Sequence, residues 1–299
     1  MDNTIFFGNG INLVAGGKSW DDILKDMSFR DSLPAISSNT LKYEYIILQK
    51  PYKQFVPLLL KGRPLLLAGK IYGEFFYTEI GVVKRKLCDM LYKQSHSPYY
   101  TELFNINTQN YVTTNYELFL NKEFEGHGFS HIKNSGNTSR LYVRDALSKH
   151  IQSVSIWNIH GNLKAPDSIM LGIKDYCEYV SEIYQYINED HSESVNTWID
   201  LFFRTNVYII GFGLGYEEID LWYILTIRKR LKRQNNGNIN NHIYYYDIER
   251  DSDKDKNELL KSLDIEVINV PYKDSYQISY EIMFGMLREK IGEREIETT

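Results

Sequence analysis

Six short apolar segments, separated by stretches with helical periodicity, constrain the fold of this chain more than any other feature. Continuous apolar runs of this length are typical of strands buried on both faces. Their alternation with helices predicts an α/β fold: a parallel sheet of about six strands with helices on both faces. The predicted strands are Thr4–Phe7, Asn110–Thr114, the run from Ser155 that stops at His160, Asn206–Ile210, His242–Tyr246 and Ile265–Val270.

Residues 29–105 separate the first two strands. Their apolar positions keep helical spacing, so we predict a helical insertion within one domain over residues 1–292, followed by a charged tail over 293–299. Residues 126–137 predict a polar loop, and 140–150 form a basic segment. The other predicted helices are Trp20–Met27, Glu117–Phe124, Asp175–Asn188, Ser194–Phe203, Ile219–Leu231, Asp251–Leu263 and Tyr276–Ile291.

Polar or glycine-rich residues follow five of the predicted strands directly. Because open parallel sheets bind ligands outside the carboxyl ends of their strands, we expect these residues to form one site. Taken singly, a His-Gly pair is more often an ordinary turn, and Asn115 is equally compatible with a helix N-cap. The strand-end residues are Gly8 to Asn12, Asn115, His160, Gly211 to Gly215 and Asp247.

The chemistry of these strand ends suits a dinucleotide. Glycine turns can leave backbone N–H groups free for phosphates, and Asp247 is placed to accept ribose hydroxyls. No P-loop sequence occurs, and no serine or cysteine pairs with His160 in a hydrolase motif. We expect His160 to act as a general base and Asn115 to hold a water or a sugar hydroxyl, which fits cleavage of the bond between ribose and a cationic nicotinamide.

Composition argues against several function classes. The net charge of −5 argues against nucleic-acid binding, and we interpret the basic run 228–233 as an exposed helix end or a partner-binding patch. Two isolated cysteines, Cys88 and Cys177, provide neither a disulfide framework nor a four-cysteine zinc site. Two prolines and two basic residues interrupt the apolar segment 55–68, so we expect no membrane span. We expect a soluble, cytoplasmic protein of a reducing compartment.

Four short motifs, taken in order, resemble the SIR2 (sirtuin-like) superfamily, whose usual patterns are Gly-Ala-Gly-x-Ser, Thr-Gln-Asn-x-Asp, a His-Gly after a strand, and Gly-Thr-Ser-Leu. Here they read Gly8-Asn-Gly-Ile-Asn12, Thr113-Thr-Asn-Tyr116, Ile159-His-Gly161 and Gly211-Phe-Gly-Leu-Gly215. The segment Ser19-Trp-Asp-Asp22 is also similar to the one that follows the first glycine turn in bacterial SIR2-like proteins.

The resemblance implies a Rossmann-like sheet, NAD as the ligand, and catalytic roles for Asn115 and His160. Asn9 and Asn12 stand where the family pattern has alanine and serine, and Phe212-Gly213 replaces its threonine-serine pair. The implied cofactor-binding residues are Gly8, Asn9, Gly10, Asn12, Trp20, Asp21, Thr114, Gly211, Phe212, Gly213 and Asp247.

The four-cysteine zinc module of protein deacylases is absent from this sequence. The resemblance therefore favours an NAD hydrolase of the bacterial antiphage-defence type, which cleaves NAD to nicotinamide and ADP-ribose without a metal and depletes NAD in abortive infection. An NAD-dependent protein deacylase or ADP-ribosyltransferase, and a non-catalytic NAD or ADP-ribose sensor, are the alternatives. Proteins of this type are controlled by oligomerisation or by a regulatory subunit such as an ATPase or sensor, so we expect the isolated chain to be held inactive.

Overall fold

The computed structural model describes residues 1–27, 38–49, 84, 87–92, 96–132, 140–189, 195–234 and 239–294. Its strands are β1 (Asn3–Phe7), β2 (Asn110–Thr113), β3 (Ser130–His131), β4 (Asp145–Lys149), β5 (Gln152–Asn158), β6 (Asn206–Ile210), β7 (Ile243–Ile248) and β8 (Ile265–Val270). Its helices are α1 (Gly10–Leu13), α2 (Trp20–Met27), α3 (Asn39–Gln49), α4 (Tyr99–Asn105), α5 (Phe119–Gly126), α6 (Ile173–Asn188), α7 (Trp198–Arg204), α8 (Ile219–Gln234), α9 (Lys254–Ser262) and α10 (Tyr276–Ile291).

Six strands run parallel, in the order β5-β2-β1-β6-β7-β8. If these six parallel strands are numbered 1 to 6 in chain order, their order in the sheet is 3-2-1-4-5-6, which is that of a doubly wound Rossmann sheet. This confirms the predicted fold class. The order reverses between β1 and β6, and a crevice forms at the carboxyl ends where it does so. Phe7 pairs with both Thr113 and Ile210, the last residues of β2 and β6. The turns after β1, β2 and β6 therefore begin at the same height along the sheet.

The prediction of six strands is wrong at one edge of the sheet. There β3 and β4 add an antiparallel hairpin to β5, where the sequence predicts a polar loop and a basic segment. Only Ala146 and Leu147 of β4 are buried, and both residues of β3 are exposed. A strand at the edge of a sheet is partly exposed to solvent and needs no continuous run of apolar residues. The hydrophobic pattern of the sequence therefore does not reveal β3 and β4.

Alternate residues of the parallel strands pack into two apolar layers, one on each face of the sheet. On β1, Ile5 and Phe7 pack with α4, α5 and α10, whereas Phe6 packs with α6, α7 and α8. The same alternation separates Tyr208 from Ile209 on β6. Burial on both faces is what makes these strands continuous apolar runs in the sequence.

The helices α2 and α10 have the predicted bounds. The predicted capping box opens α2: the Asp22 N–H donates to Ser19 Oγ (3.1 Å) and the Ser19 N–H donates to Asp22 Oδ2 (3.3 Å). Four other helices begin a few residues away from their predicted starts, which were Glu117, Asp175, Ser194 and Asp251. Three predicted strand ends also move, because β2 stops at Thr113, β5 stops at Asn158 rather than His160, and β7 continues to Ile248.

Much of the predicted helical insertion, including residues 50–83, lies outside the described residues. Its described parts are α3, α4 and helical residues 84 and 87–91. A third apolar cluster joins α2 and α3 to the loops that follow β2 and β5 through Ile23, Tyr43, Leu87 and Ile169. No helix in the described ranges is both long enough and apolar enough to cross a membrane.

Candidate active site at the carboxyl edge of the sheet

A cavity of about 470 Å³ opens at the carboxyl ends of the strands, where the strand order reverses. Its volume is within the range of small-molecule sites. Nine of the thirteen predicted site residues line it, so strand ends far apart in the sequence do converge. They are Asn9, Gly10, Trp20, Thr114, His160, Gly211, Phe212, Gly213 and Asp247.

The other four predicted residues, which do not line the cavity as the described residues form it, are Gly8, Asn12, Asp21 and Asn115. Asp21 forms an ion pair with Lys42 and is half exposed. Asn115 is buried, and both of its chain neighbours, Thr114 and Tyr116, line the cavity. Its backbone is therefore adjacent to the cavity wall.

The two glycine turns pack directly on each other. The Gly10 N–H donates to Gly211 O (2.8 Å), and the Gly8 N–H donates to Ile210 O (3.2 Å). A Cβ on Gly8 would lie 2.5 Å from the Phe212 ring, and one on Gly10 would lie 2.6 Å from Gly211 O. The expectation that the N–H groups of Gly8 and Gly10 stay free for phosphate is therefore wrong. Glycine is required here because the two turns approach so closely.

A buried polar network underlies the first turn. The Tyr100 hydroxyl donates to the Glu117 carboxylate and lies 3.1 Å from Asn12 Oδ1. Asn12 Nδ2 donates to Glu117 Oε1 (2.8 Å) and Asn9 Oδ1 (3.0 Å). Burial, together with the charge of Glu117, holds the pKa of Tyr100 well above its usual value. Nearby, the buried side chain of Asn115 approaches the Tyr100 hydroxyl and reduces the upward shift of the Tyr100 pKa. Its Nδ2 makes no hydrogen bond of good geometry in the described part of the chain, so it can still pair with a ligand or water.

His160 lies two residues beyond β5 and is 2% exposed. Its Nε2–H donates to Asp220 Oδ2 (2.8 Å), and Nε2 lies 4.0 Å from Glu218 Oε2. Burial by itself lowers the pKa of His160, but the charge and hydrogen bond of Asp220, with the charge of Glu218, outweigh it and raise the pKa above 6.5. A hydrogen bond from Nε2–H leaves Nδ1 as the basic nitrogen of the neutral ring.

Glu218 also lines the cavity, with its side chain 18% exposed. Burial raises the pKa of Glu218 to about 7, an effect that Asp220 and Glu217 increase and His160 reduces. Within the described part of the chain, Glu218 Oε2 and Asp220 Oδ1 are buried and accept no hydrogen bond. The oxygen ligands of these two acids and the His160 nitrogen lie within 4.8 Å of one another, a spacing that also suits a metal ion.

Asp247 lies at the other end of the cavity, on β7. Its Oδ2 accepts from Asn257 Nδ2 (2.6 Å), and Lys256 Nζ next to it donates to Gly213 O (2.9 Å) and to the Tyr245 hydroxyl (3.1 Å). Three strands lie between β5 and β7, so the backbones of these two strands are four strand spacings, or about 19 Å, apart along the sheet edge. The His160 side chain extends from β5 towards the start of α8, where it meets Asp220.

Three residues near the cavity, Glu218, Asp220 and Lys256, are not among the predicted site residues. Acidic residues at the start of a helix are ordinary, because they favour the helix dipole, so the acids of α8 carry no signal of their own. Lys256 sits on an exposed helix of mixed charge. The one feature of the sequence that could have indicated Glu218 and Asp220 is their position, because both lie within five residues of the second glycine turn.

Comparison with known families assigns residues 109–268 to the model described as a SIR2-like domain. The matched region runs from β2 to β8 and includes Asn115, His160, the second glycine turn and Asp247. The chain matches no curated protein.

Proposed function

Because this chain belongs to the SIR2-like domain family, we propose that it is an NAD glycohydrolase that cleaves NAD to nicotinamide and ADP-ribose. Members of the family act with NAD. One observation carries the proposal: His160, hydrogen-bonded to Asp220, lines the same cavity as both glycine turns and Asp247. A base at one end and a ribose-binding carboxylate at the other suit a dinucleotide in an extended form.

We infer that His160 takes a proton from a water whose oxygen bonds to C1′ of the nicotinamide ribose. The bond from C1′ to the ring nitrogen breaks, and its electron pair neutralises the pyridinium as nicotinamide leaves. The proton on His160 then returns to solvent. Asn115, with its unpaired buried Nδ2, is proposed to donate to the water or to a ribose hydroxyl.

The reaction is proposed to need no metal. Nε2 of His160 already donates to Asp220 at 2.8 Å, and this is the nitrogen that a metal would take. Nicotinamide is a good leaving group because the ring nitrogen carries positive charge before the bond breaks, so no Lewis acid is required. Turnover that is lost with a chelator and restored by a divalent ion would contradict this.

We also propose that the protein is a cytoplasmic antiphage-defence effector that works as a homo-oligomer or with a regulatory subunit. The support is the resemblance of its four motifs to the SIR2 superfamily, together with the absence from the sequence of the four-cysteine zinc module of protein deacylases. An unrestrained NAD hydrolase would harm its own cell, so we expect the isolated chain to be inactive until triggered. Full turnover by a purified monomer would contradict that expectation.

The test of the main proposal is chromatographic analysis of products after incubation of the activated protein with NAD and no acceptor. We expect nicotinamide and ADP-ribose in equal amounts, and a loss of about 10²-fold or more in rate for His160→Ala and for Asn115→Ala, with the fold retained by circular dichroism. The exposed variant Asp167→Asn should keep the full rate. Nicotinamide release that needs an acyl peptide or a protein acceptor would indicate a deacylase or transferase instead.

A further inference from the structure

We propose that Glu218 selects ligands that carry a positive charge at the His160 end of the cavity, so that the site prefers the oxidised, cationic dinucleotide to its neutral reduced form. This deepens the proposed function and rests on it for the orientation of the ligand. It assigns to Glu218 a role in specificity that is separate from the base chemistry of His160.

The first support is the excess of negative charge at this end of the cavity. Glu218 and Asp220 both lie within 4.0 Å of one basic group, His160, and Glu217 adds its charge beside Glu218. Arg140, whose charge also acts on His160, lies 3.9 Å from Asp175, and Lys84 Nζ lies 3.1 Å from the same carboxylate. Among the described residues neither cation forms an ion pair with Glu218 or Asp220, so a protonated imidazole leaves one of these two acids without a cation in contact when both are ionised, and such a deficit is costly.

The second support is the unsatisfied oxygen. Glu218 Oε2 is buried and accepts no hydrogen bond from any described residue, while Glu218 itself lines the cavity. The Tyr176 phenol from α6 does donate to the Glu218 carboxylate, and Tyr116 approaches from the turn after β2, but neither phenol supplies a positive charge. A cationic ring or a ribose that develops positive charge at C1′ would supply it.

The third support is the contrast with the opposite end of the cavity. Among the described lining residues, Lys256 is the one lysine or arginine; its Nζ donates to Gly213 O and to the Tyr245 hydroxyl on β7, the strand that carries Asp247. The cavity is therefore cation-accepting at the His160 end and carries mixed charge at the Asp247 end. A ligand with a cationic ring at one end and phosphates in the middle matches this arrangement, whereas one with a neutral ring gains nothing from Glu218.

The test is binding of NAD, NADH and ADP-ribose to the full chain and to Glu218→Gln by isothermal titration calorimetry, with nicotinamide release measured in parallel where the chain turns NAD over. We expect Glu218→Gln to weaken NAD binding by about tenfold or more and to leave NADH and ADP-ribose within about twofold, because only NAD carries a cationic ring. Glu218→Asp should retain part of the preference. Glu178→Gln, which removes an acid 55% exposed on α6, is the control for net charge and should change nothing.

An equal loss of affinity for all three ligands would overturn the proposal, because Glu218 would then support the shape of the cavity. Unchanged NAD affinity would overturn it as well. Failure of the proposed function is distinguishable: the activated wild-type protein would bind NAD with the predicted preference and release no nicotinamide.

Discussion

At the scale of single residues, the site depends on a balance between burial and charge around His160. A histidine that is 2% exposed would lose its proton readily, but the hydrogen bond and charge of Asp220 reverse the direction of the pKa shift. The same carboxylate increases the upward shift of the pKa of Glu218. Asp220 does not line the cavity, so it acts as a positioning residue through His160.

Asp220→Asn should therefore lower the pKa of both His160 and Glu218. In the proposed mechanism a neutral His160 and an ionised Glu218 are the active forms, so the acidic limb of the pH–rate profile should move to lower pH. The maximal rate should fall about 10²-fold because the ring loses its fixed orientation.

Nicotinamide release measured between about pH 5 and 9, with the His160 ring titration followed by NMR, checks this prediction. A rate loss without any movement of the limb would show that Asp220 is only structural. Asp167→Asn, exposed on the turn after the His160 loop, should leave the profile unchanged.

At the scale of elements, α8 decides where the acids lie, because Asp220 sits in its first turn. The helix is fixed from its middle by Arg228, which is fully buried and donates from Nε to Asn241 Oδ1 (3.1 Å) and from Nη2 to Asn241 O (2.5 Å). Asn241 Nδ2 in turn donates to the carbonyls of Phe202 (2.9 Å) and Thr205 (2.6 Å). One amide therefore ties α8 to α7 and to the start of β6.

Asn241→Ala should lower the free energy of unfolding by about 3 kcal/mol, because it leaves two buried carbonyls and part of a buried guanidinium unpaired. Urea denaturation measures the loss. Asn188→Ala removes an exposed amide that donates to Tyr184 O, and should cost less than about 0.5 kcal/mol. Equal losses for the two variants would show that the buried network contributes nothing beyond a surface contact.

At the scale of the whole molecule, residues near the carboxyl end of the described chain join the sheet to its helical layer. Arg294, in the segment predicted as a charged tail, is buried and donates to the carbonyls of Phe104 (2.8 Å) and Thr108 (2.6 Å). Its guanidinium also lies 5.1 Å from the centre of the Phe124 ring. The helix before it, α10, reaches the site, since Tyr280 lines the cavity.

Arg294→Ala should destabilise the fold by about 3 kcal/mol, because these carbonyls lose a donor in a buried position. Arg294→Lys should recover little, since a lysine ammonium cannot reproduce the planar fork of donors. Both are measured by urea denaturation, with Arg230→Ala on the outer part of α8 as the control. Recovery of wild-type stability by lysine would show that charge, rather than geometry, is what matters.

Much of this fold could be predicted from the sequence, because strands buried on both faces have continuous apolar sequences and the helices have apolar residues at helical spacing. The edge hairpin β3-β4 could not, since most of its residues are polar and only Ala146 and Leu147 are buried. Helix ends moved by a few residues where capping, rather than periodicity, sets the boundary.

The sequence by itself determined that strand ends carrying glycine, histidine and aspartate would meet at one edge, because parallel strands joined by helices place all their carboxyl ends there. Only the tertiary structure decided which of these groups are in contact. The Asp220 carboxylate contacts His160, which lies 60 residues away in the sequence. The N–H groups of Gly8 and Gly10 donate to the carbonyls of Ile210 and Gly211. Such contacts depend on how separate elements pack, and local sequence patterns record the elements but not the distances between them.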